Sequence, residues 1–246
     1  MNEYATNAKD RESIPKRLLF PTIAAALVAS YVIESLKDHF GILKSYSWVL
    51  DVSSAPFFYD ALRTWFDKKL WRGRFFGRRI SEIPDLNGTW VGTGRSSYHP
   101  TGDVETTDFR VVARINQTWS RICIDLETKG SVSTSTMAVM NTEDSPERGL
   151  SYEYINKPRY FEDQVITPAT MQVHQGVAHL QLGGNGRTLI GEYYTDPRRK
   201  NFGALKLTFH SLGHLSHEEV MELLRRPLAP AGTAPNESAH EASGSK

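Results

Sequence analysis

From Leu86 to His210 the chain breaks into eight short runs of alternating character separated by turn residues, and this pattern constrains the fold more than any other feature. The runs are Asn87 to Ser97, Val104 to Gln117, Arg121 to Thr128, Val132 to Met140, Gly149 to Ile155, Met171 to Leu182, Arg187 to Thr195, and Phe202 to His210. Side chains alternate faces along a strand, so Val111, Ala113 and Ile115 supply one inward face. Ile122, Ile124 and Leu126 supply a second, and Leu205, Leu207 and Phe209 a third. Short runs of this kind, evenly spaced, predict an antiparallel all-β domain. Eight strands close into a barrel just wide enough for its own side chains or one small ligand, although a two-sheet sandwich has the same strand signature.

The first run adds detail. Trp90, Gly92, Gly94 and Ser96 share one face, a large aromatic followed by small residues. That suits an inward face with space above a plug, since strand glycines mark bends or the close approach of another group. A glycine-weakened edge strand is the plainer alternative.

Upstream, Leu18 to Leu36 reads LLFPTIAAALVASYVIESL, with Glu34 its only formal charge. As a helix it spans roughly 28 Å, close to the hydrocarbon core of a bilayer. The apolar run is too long for the core of a secretory signal. Tyr46 to Phe66 is also apolar and aromatic but carries Asp51, Pro56, Asp60 and Arg63. Charge at membrane depth costs a few kcal/mol unless it meets a partner or water. A second membrane helix, an interfacial helix and a soluble helix packed on the barrel therefore compete. The basic run after this segment favours a second membrane helix. Lys68, Lys69, Arg72, Arg74, Arg78 and Arg79 interleave with Leu70, Trp71, Phe75 and Phe76 as a basic, aromatic collar of the cytoplasmic side. Two crossings place the amino terminus and the barrel together in the cytoplasm of a multi-pass membrane protein.

The expected organisation is a polar segment over 1–16, a transmembrane helical hairpin over 17–67 (helices near 18–36 and 46–66) and a basic linker over 68–80. The eight-stranded antiparallel β-barrel occupies 81–215, a short helix 216–226 and a disordered tail 227–246. The helix carries a capping box, Ser216 with Glu219, and the tail lacks apolar content. Net charge is only +1, so no global field points to a nucleic-acid polymer. The single cysteine, Cys123, excludes an internal disulfide and a cysteine-rich zinc site.

An up-and-down order gathers residues 98 to 103, 129 to 131, 156 to 170 and 196 to 201 at the end of the barrel away from the membrane. Those loops hold Lys129, Lys157, Arg159, Arg198, Arg199 and Lys200 against Asp103, Glu162, Asp163 and Asp196. Parity turns Tyr152 and Tyr154 inward together, and Tyr193 with Gly191. Phenol rings that stack on a nucleobase below arginines that hold phosphate suit a small nucleotide. The competing reading is that the tyrosines only fill the barrel.

Several short motifs carry a family resemblance. Leu86-Asn87-Gly88-Thr89-Trp90 with Ser96-Ser97-Tyr98, Tyr152-x-Tyr154-x-Asn156-x-Pro158, and Gly191-x-Tyr193-Tyr194-Thr195-x-x-Arg198 with Gly203 resemble the CD-NTase-associated protein 15 family. The resemblance implies an effector of cyclic-oligonucleotide-based antiphage signalling (CBASS) in the bacterial inner membrane. Its cytoplasmic barrel would bind a cyclic dinucleotide from a partner nucleotidyltransferase. Binding would drive homo-oligomerisation, membrane disruption and death of the infected cell, without catalysis or cofactor. The expected ligand-binding set is Ser96, Tyr152, Tyr154, Asn156, Arg159, Tyr193, Thr195, Arg198 and Arg199. Asp51 and Asp60 are expected to meet other copies in the membrane. This chain departs from the family in the polarity of its second hydrophobic segment and in the Asp196-Pro197 turn before Arg198.

Two rival functions remain. Gly88-Thr89-Trp90 also resembles the opening of lipocalin-like and avidin-like barrels, which carry small apolar ligands. An enzyme is the other. His174 and His179 are five apart, so a regular strand sends them to opposite faces, and neither a His-Glu-x-x-His zinc motif nor a Gly-x-Ser-x-Gly elbow occurs. Gly183-Gly184-Asn185-Gly186 reads as a hairpin turn, since no Lys-Ser/Thr comes after it.

Overall fold

All eight runs form strands, and the first of them pairs with the last. The computed structural model describes residues 1–6, 10–40, 47–73, 81–97, 106–142, 148–159, 173–197, 200–213 and 215–228. The amino-terminal elements are two short strands, β1 (Asn2–Glu3) and β2 (Ala5–Thr6), and two helices, α1 (Asp10–Phe40) and α2 (Ser47–Lys68). The barrel strands are β3 (Gly88–Ser96), β4 (Thr107–Gln117), β5 (Arg121–Glu127), β6 (Ser131–Asn141), β7 (Gly149–Pro158), β8 (His174–Leu182), β9 (Thr188–Thr195) and β10 (Phe202–Ser211). The carboxy-terminal helix is α3 (His217–Arg225).

Each barrel strand pairs antiparallel with its sequence neighbour, and β10 closes on β3 from Gly203↔Ser96 to Ser211↔Thr89. The ring of pairings is complete, which decides for a barrel over a sandwich. Its weakest seam is β5–β6, paired only from Asp125↔Thr134 to Glu127↔Val132. Beyond that stretch β6 is irregular against β7, between Ser135 and Met137. Residues 2–6 fill the gap, β1 antiparallel on β5 and β2 parallel on β6. Asn2 Nδ2 donates to Thr136 O at 2.6 Å. The polar lead-in thus becomes part of the barrel wall, because backbone pairing needs no apolar side chain.

The end of the lumen that meets the helices is sealed by apolar packing. Trp90 is fully buried, its indole N–H donates to Leu86 O at 2.9 Å, and Phe209 meets it edge-on. Gln117, also buried, accepts from Leu86 N at 2.8 Å and donates to Pro84 O at 3.1 Å, so the linker enters at a fixed place. Tyr4, Ile14, Phe66, Trp71 and Trp119 extend the same core. Trp119 N and Ser120 N donate to the backbone and carboxylate oxygens of Asp67 at 3.0 and 2.7 Å. The start of α1 and the end of α2 are thereby bound to one barrel end.

The expected crossing 18–36 falls within α1, and 46–66 lies, from Ser47 on, within α2; the two helices pack on each other. Among the described residues no helix is long and apolar enough to cross a membrane. Leu19, Phe20, Ile23, Leu27, Val28, Tyr31 and Val32 of α1 are nonetheless exposed, as are Phe57 and Trp65 of α2. Helix α3 begins as the capping box requires: Glu219 N donates to Ser216 Oγ and Ser216 N to the Glu219 carboxylate. Those bonds hold the Glu219 carboxyl below its usual range. Val220, Met221 and Leu224 cover Val112 on the outer wall of β4. Arg74, Arg78, Arg79 and the tail after 228 lie outside the described residues.

Burial pushes the Tyr4 phenol up to about 12, outweighing the bonds and the Arg11 charge that would lower it. The unfolded chain ionises this group near the ordinary value of about 10, so its contribution is complete below that pH and is lost as pH rises through 12. Tyr4→Phe should flatten the fall in thermal midpoint between pH 10 and 12. The native phenol accounts for roughly 2–3 kcal/mol of that fall. Thermal melts of the two proteins across this range make the comparison.

Candidate functional site in the distal lumen

Cross-strand registers assemble the other end of the lumen from three rows. One runs Ser96, Gly203, Tyr193, Ala178, Tyr152, Ala138; a second runs Ser135, Tyr154, Gly176, Thr195; the third holds Ser133, Asn156 and His174. Small residues stand beside large ones for a steric reason. The Tyr154 ring lies over Gly176 and the Tyr193 ring over Gly203, and a Cβ at either glycine would overlap the phenol and a facing backbone oxygen. Ala138 and Ala178 flank Tyr152 in the same way. Tyr152 and Tyr154 have ring centroids 6.1 Å apart.

The polar groups are held in place. Asn201 Oδ1 accepts from Ser97 Oγ at 2.8 Å and Ser96 Oγ at 3.1 Å, while Asn201 N donates to Thr195 Oγ1 at 2.8 Å. Asn156 Nδ2 donates to Ser131 Oγ and Ser133 Oγ at 3.0 and 2.8 Å. Ser96, Ser133, His174 and Asn201 are all buried. Tyr152 is 3% exposed. Burial alone pushes its phenol far above the ordinary value.

No carboxylate faces this part of the lumen among the described residues, because Asp125, Glu127, Glu153 and Glu192 all occupy outward positions of their strands. The surroundings are neutral donors, acceptors and aromatic faces, which tolerate a ligand that carries negative charge. Exposed Lys129, Lys157 and Lys200 stand round the rim.

Of the expected ligand residues, Ser96, Tyr152, Tyr154, Asn156, Tyr193 and Thr195 come together here. Arg159 does not. It turns to the outer wall, where it and Arg114 share the buried Glu127 carboxylate, and its Nη1 lies 2.8 Å from Met221 Sδ. Glu127 is 1% exposed, so its charge requires a cation more strongly than the lumen does. Desolvation, then the charge of Arg114, lowers the Arg159 guanidinium from its ordinary value. Arg198 and Arg199 lie outside the described residues. Asp60 is exposed on α2; the side chain of Asp51 is outside the described set.

Sequence reasoning missed Ser131, Ser133, His174 and Asn201 as site residues. His174 was legible, since it shares the inward parity of Gly176, Ala178 and Leu180 and faces away from His179. Asn201 had no signal, for its role depends on how β10 meets β3.

Residues 81–208 match the family model for the Cap15 cyclic dinucleotide receptor domain. The chain is also similar to CD-NTase-associated protein 15 of Yersinia aleksiciae, 28% identical over 191 residues, which covers 78% of this chain and 85% of that protein.

Gly176→Ala should force the Tyr154 ring or strand β9 aside and lower stability by about 1–3 kcal/mol, the usual cost of overpacking. Gly184→Ala, at a turn where an added Cβ meets nothing within 4 Å, should leave stability within about 0.5 kcal/mol of the parent. Denaturant midpoints of the two variants test the packing.

Proposed function

We infer the function from one premise: the chain belongs to the Cap15 cyclic dinucleotide receptor family. Membership supports a CBASS-associated sensor that acts by binding a cyclic dinucleotide. One structural observation carries the location: the matched segment forms the barrel, and its distal lumen combines tyrosine faces, fixed neutral hydrogen-bonding groups and no carboxylate among the described residues.

The chemistry divides the ligand in two. A nucleobase enters the lumen and meets Tyr154 and Tyr193, and Asn156, His174 and the Tyr152 hydroxyl hydrogen-bond its edge. Aromatic contacts of this kind contribute about 1–3 kcal/mol per base. The phosphates stay at the rim, within reach of Lys129, Lys157 and Lys200, with Arg198 and Arg199 as further partners. An uncharged pocket below a cationic rim separates the two halves by polarity. Arg159 contributes indirectly, by fixing the end of β7 that carries Tyr154 and Asn156.

The effector step is also part of this proposal. The exposed apolar residues of α1 and α2 support anchoring in the inner membrane, with the barrel in the cytoplasm and the ligand made by a partner nucleotidyltransferase. Assembly of several copies brings Asp51 and Asp60 together at membrane depth, disrupts the bilayer and kills the infected cell. Such a switch works only if the ligand binds the assembled state more tightly than the resting one. Catalysis has no part in this mechanism.

Calorimetric titration of the full chain in detergent with cyclic dinucleotides and linear controls tests the sensor reading. Selective binding to one cyclic dinucleotide is expected, weakened roughly tenfold or more by Tyr154→Ala or Asn156→Ala, equivalent to about 1.4 kcal/mol. Binding untouched by both changes places the site elsewhere, and no binding by folded, monodisperse protein contradicts the proposal.

A further inference from the structure

Outward positions of a barrel in water are ordinarily polar. On the wall formed by β6 to β10 they are not. Cross-strand registers set Phe202, Tyr194, Val177 and Met137 in one outward row, broken only by Glu153. These four are 60%, 45%, 38% and 56% exposed respectively. The row is continuous with a groove of about 450 Å³ over β3, β4, β9 and β10, because Glu192 stands beside Ala204 and Ile190 beside Lys206. Row and groove form one patch. Every barrel strand beneath it is paired on both sides, so an occupant cannot join as a further strand and must be held by side chains.

The chain itself enters this patch. Helix α3 covers Val91 and Val112, and where it ends the Arg110 guanidinium donates to Arg226 O at 2.7 Å and to Pro227 O. Leu228 then lines the groove together with Ile190, Ala204 and Lys206. Both α3 and the residues after it lie beyond the segment 81–208 that the family model covers.

The sequence that follows has the chemistry this wall accepts. Residues 227–235 read Pro-Leu-Ala-Pro-Ala-Gly-Thr-Ala-Pro, and Pro227, Pro230 and Pro235 hold their own φ and push the preceding residues towards extended backbone. Such a segment favours the polyproline II helix, which makes no internal hydrogen bonds and docks on aromatic-lined surfaces. Its carbonyls suit the Arg95 and Lys206 donors at the edge of the groove. At about 3.1 Å per residue, residues 229–235 span roughly 22 Å. From Ile190 to Tyr194 along β9 is about 13 Å, so the segment reaches the aromatic row and crosses it. Tethered at Leu228, it meets the patch at an effective concentration on the order of mM, ahead of a separate partner of like chemistry.

We propose that residues 229–235 lie across the outer wall of their own barrel as a polyproline segment, from the groove at Lys206 over Ile190 to Tyr194 and Phe202. The segment covers the apolar row much as α3 covers Val91 and Val112. It braces from outside the strands whose inner faces carry Tyr193, Thr195 and Gly176. The inference stands independently of the sensor reading, since it uses only the outer wall.

Paramagnetic broadening in the full chain in detergent tests it. A nitroxide is attached at Thr233→Cys in a Cys123→Ser background, and the tagged, isotope-labelled chain is diluted with excess untagged, unlabelled chain so that contacts within one molecule are read. Amide signals of Val177, Tyr194 and Phe202 should be lost until the nitroxide is reduced. Those of Arg121 and Asp125, on β5 across the ring, should keep their intensity. Adding Phe202→Glu to the tagged chain should restore the Val177 and Tyr194 signals. Full intensity at Tyr194 in the tagged parent overturns the proposal, as does equal loss on β5 or loss undiminished by Phe202→Glu. Loss seen only when tagged, unlabelled chain is mixed with untagged, labelled chain also overturns it, and assigns the wall to a second copy.

Discussion

The pairing of β10 with β3 is the constraint on which the rest depends. It closes eight strands into a ring, and a ring of that size leaves a lumen that side chains nearly fill. Every inward position must therefore be settled by volume. At the proximal end the solution is large apolar groups, Trp90 and Phe209 from strands and Phe66, Trp71 and Trp119 around them. At the distal end it is aromatic rings over glycines, Tyr154 on Gly176 and Tyr193 on Gly203. The same closure thus yields a sealed base and a polar upper chamber.

This division explains how one small domain can serve two partners of opposite chemistry. The base binds the helices through Tyr4, Ile14 and Phe66, and through backbone bonds to Asp67. The upper chamber is lined by the hydroxyls of Ser96, Ser133 and Thr195 and the amides of Asn156 and Asn201, held by their own hydrogen bonds, so under the proposed function little ordering is needed for binding. Short β5–β6 pairing, patched by residues 2–6, places the least regular part of the wall between these regions. The amino-terminal segment joins the helices to the barrel wall as well as to its base.

Much of this was legible in the sequence because strand periodicity is a local signal. Alternation placed all eight strands, turned Tyr152, Tyr154 and Tyr193 inward, and set His174 and His179 on opposite faces. Ser216 and Glu219 announced the start of α3. What remained hidden depends on contacts distant in sequence. Glu127 stands at an outward position that reads as solvated, and only the packing of Arg114, Arg159 and Met221 around it shows why Arg159 leaves the lumen. Asn2 and Tyr4 belong to a polar stretch whose role is set by a gap in a distant strand pair. Among the described residues no helix is long and apolar enough to cross a membrane, and Arg198 and Arg199 lie outside the described set.

The central claim is that a nucleobase occupies the distal lumen between Tyr154 and Tyr193. Its most direct test is nuclear Overhauser spectroscopy of the full chain in detergent, with labelled tyrosine rings assigned by single Tyr→Phe changes and the bound cyclic dinucleotide unlabelled. The account predicts cross-peaks from base protons to the rings of Tyr154 and Tyr193. Cross-peaks confined to Tyr194, whose ring lies on the outer wall, would contradict it, as would bound ligand without contact to any lumen tyrosine.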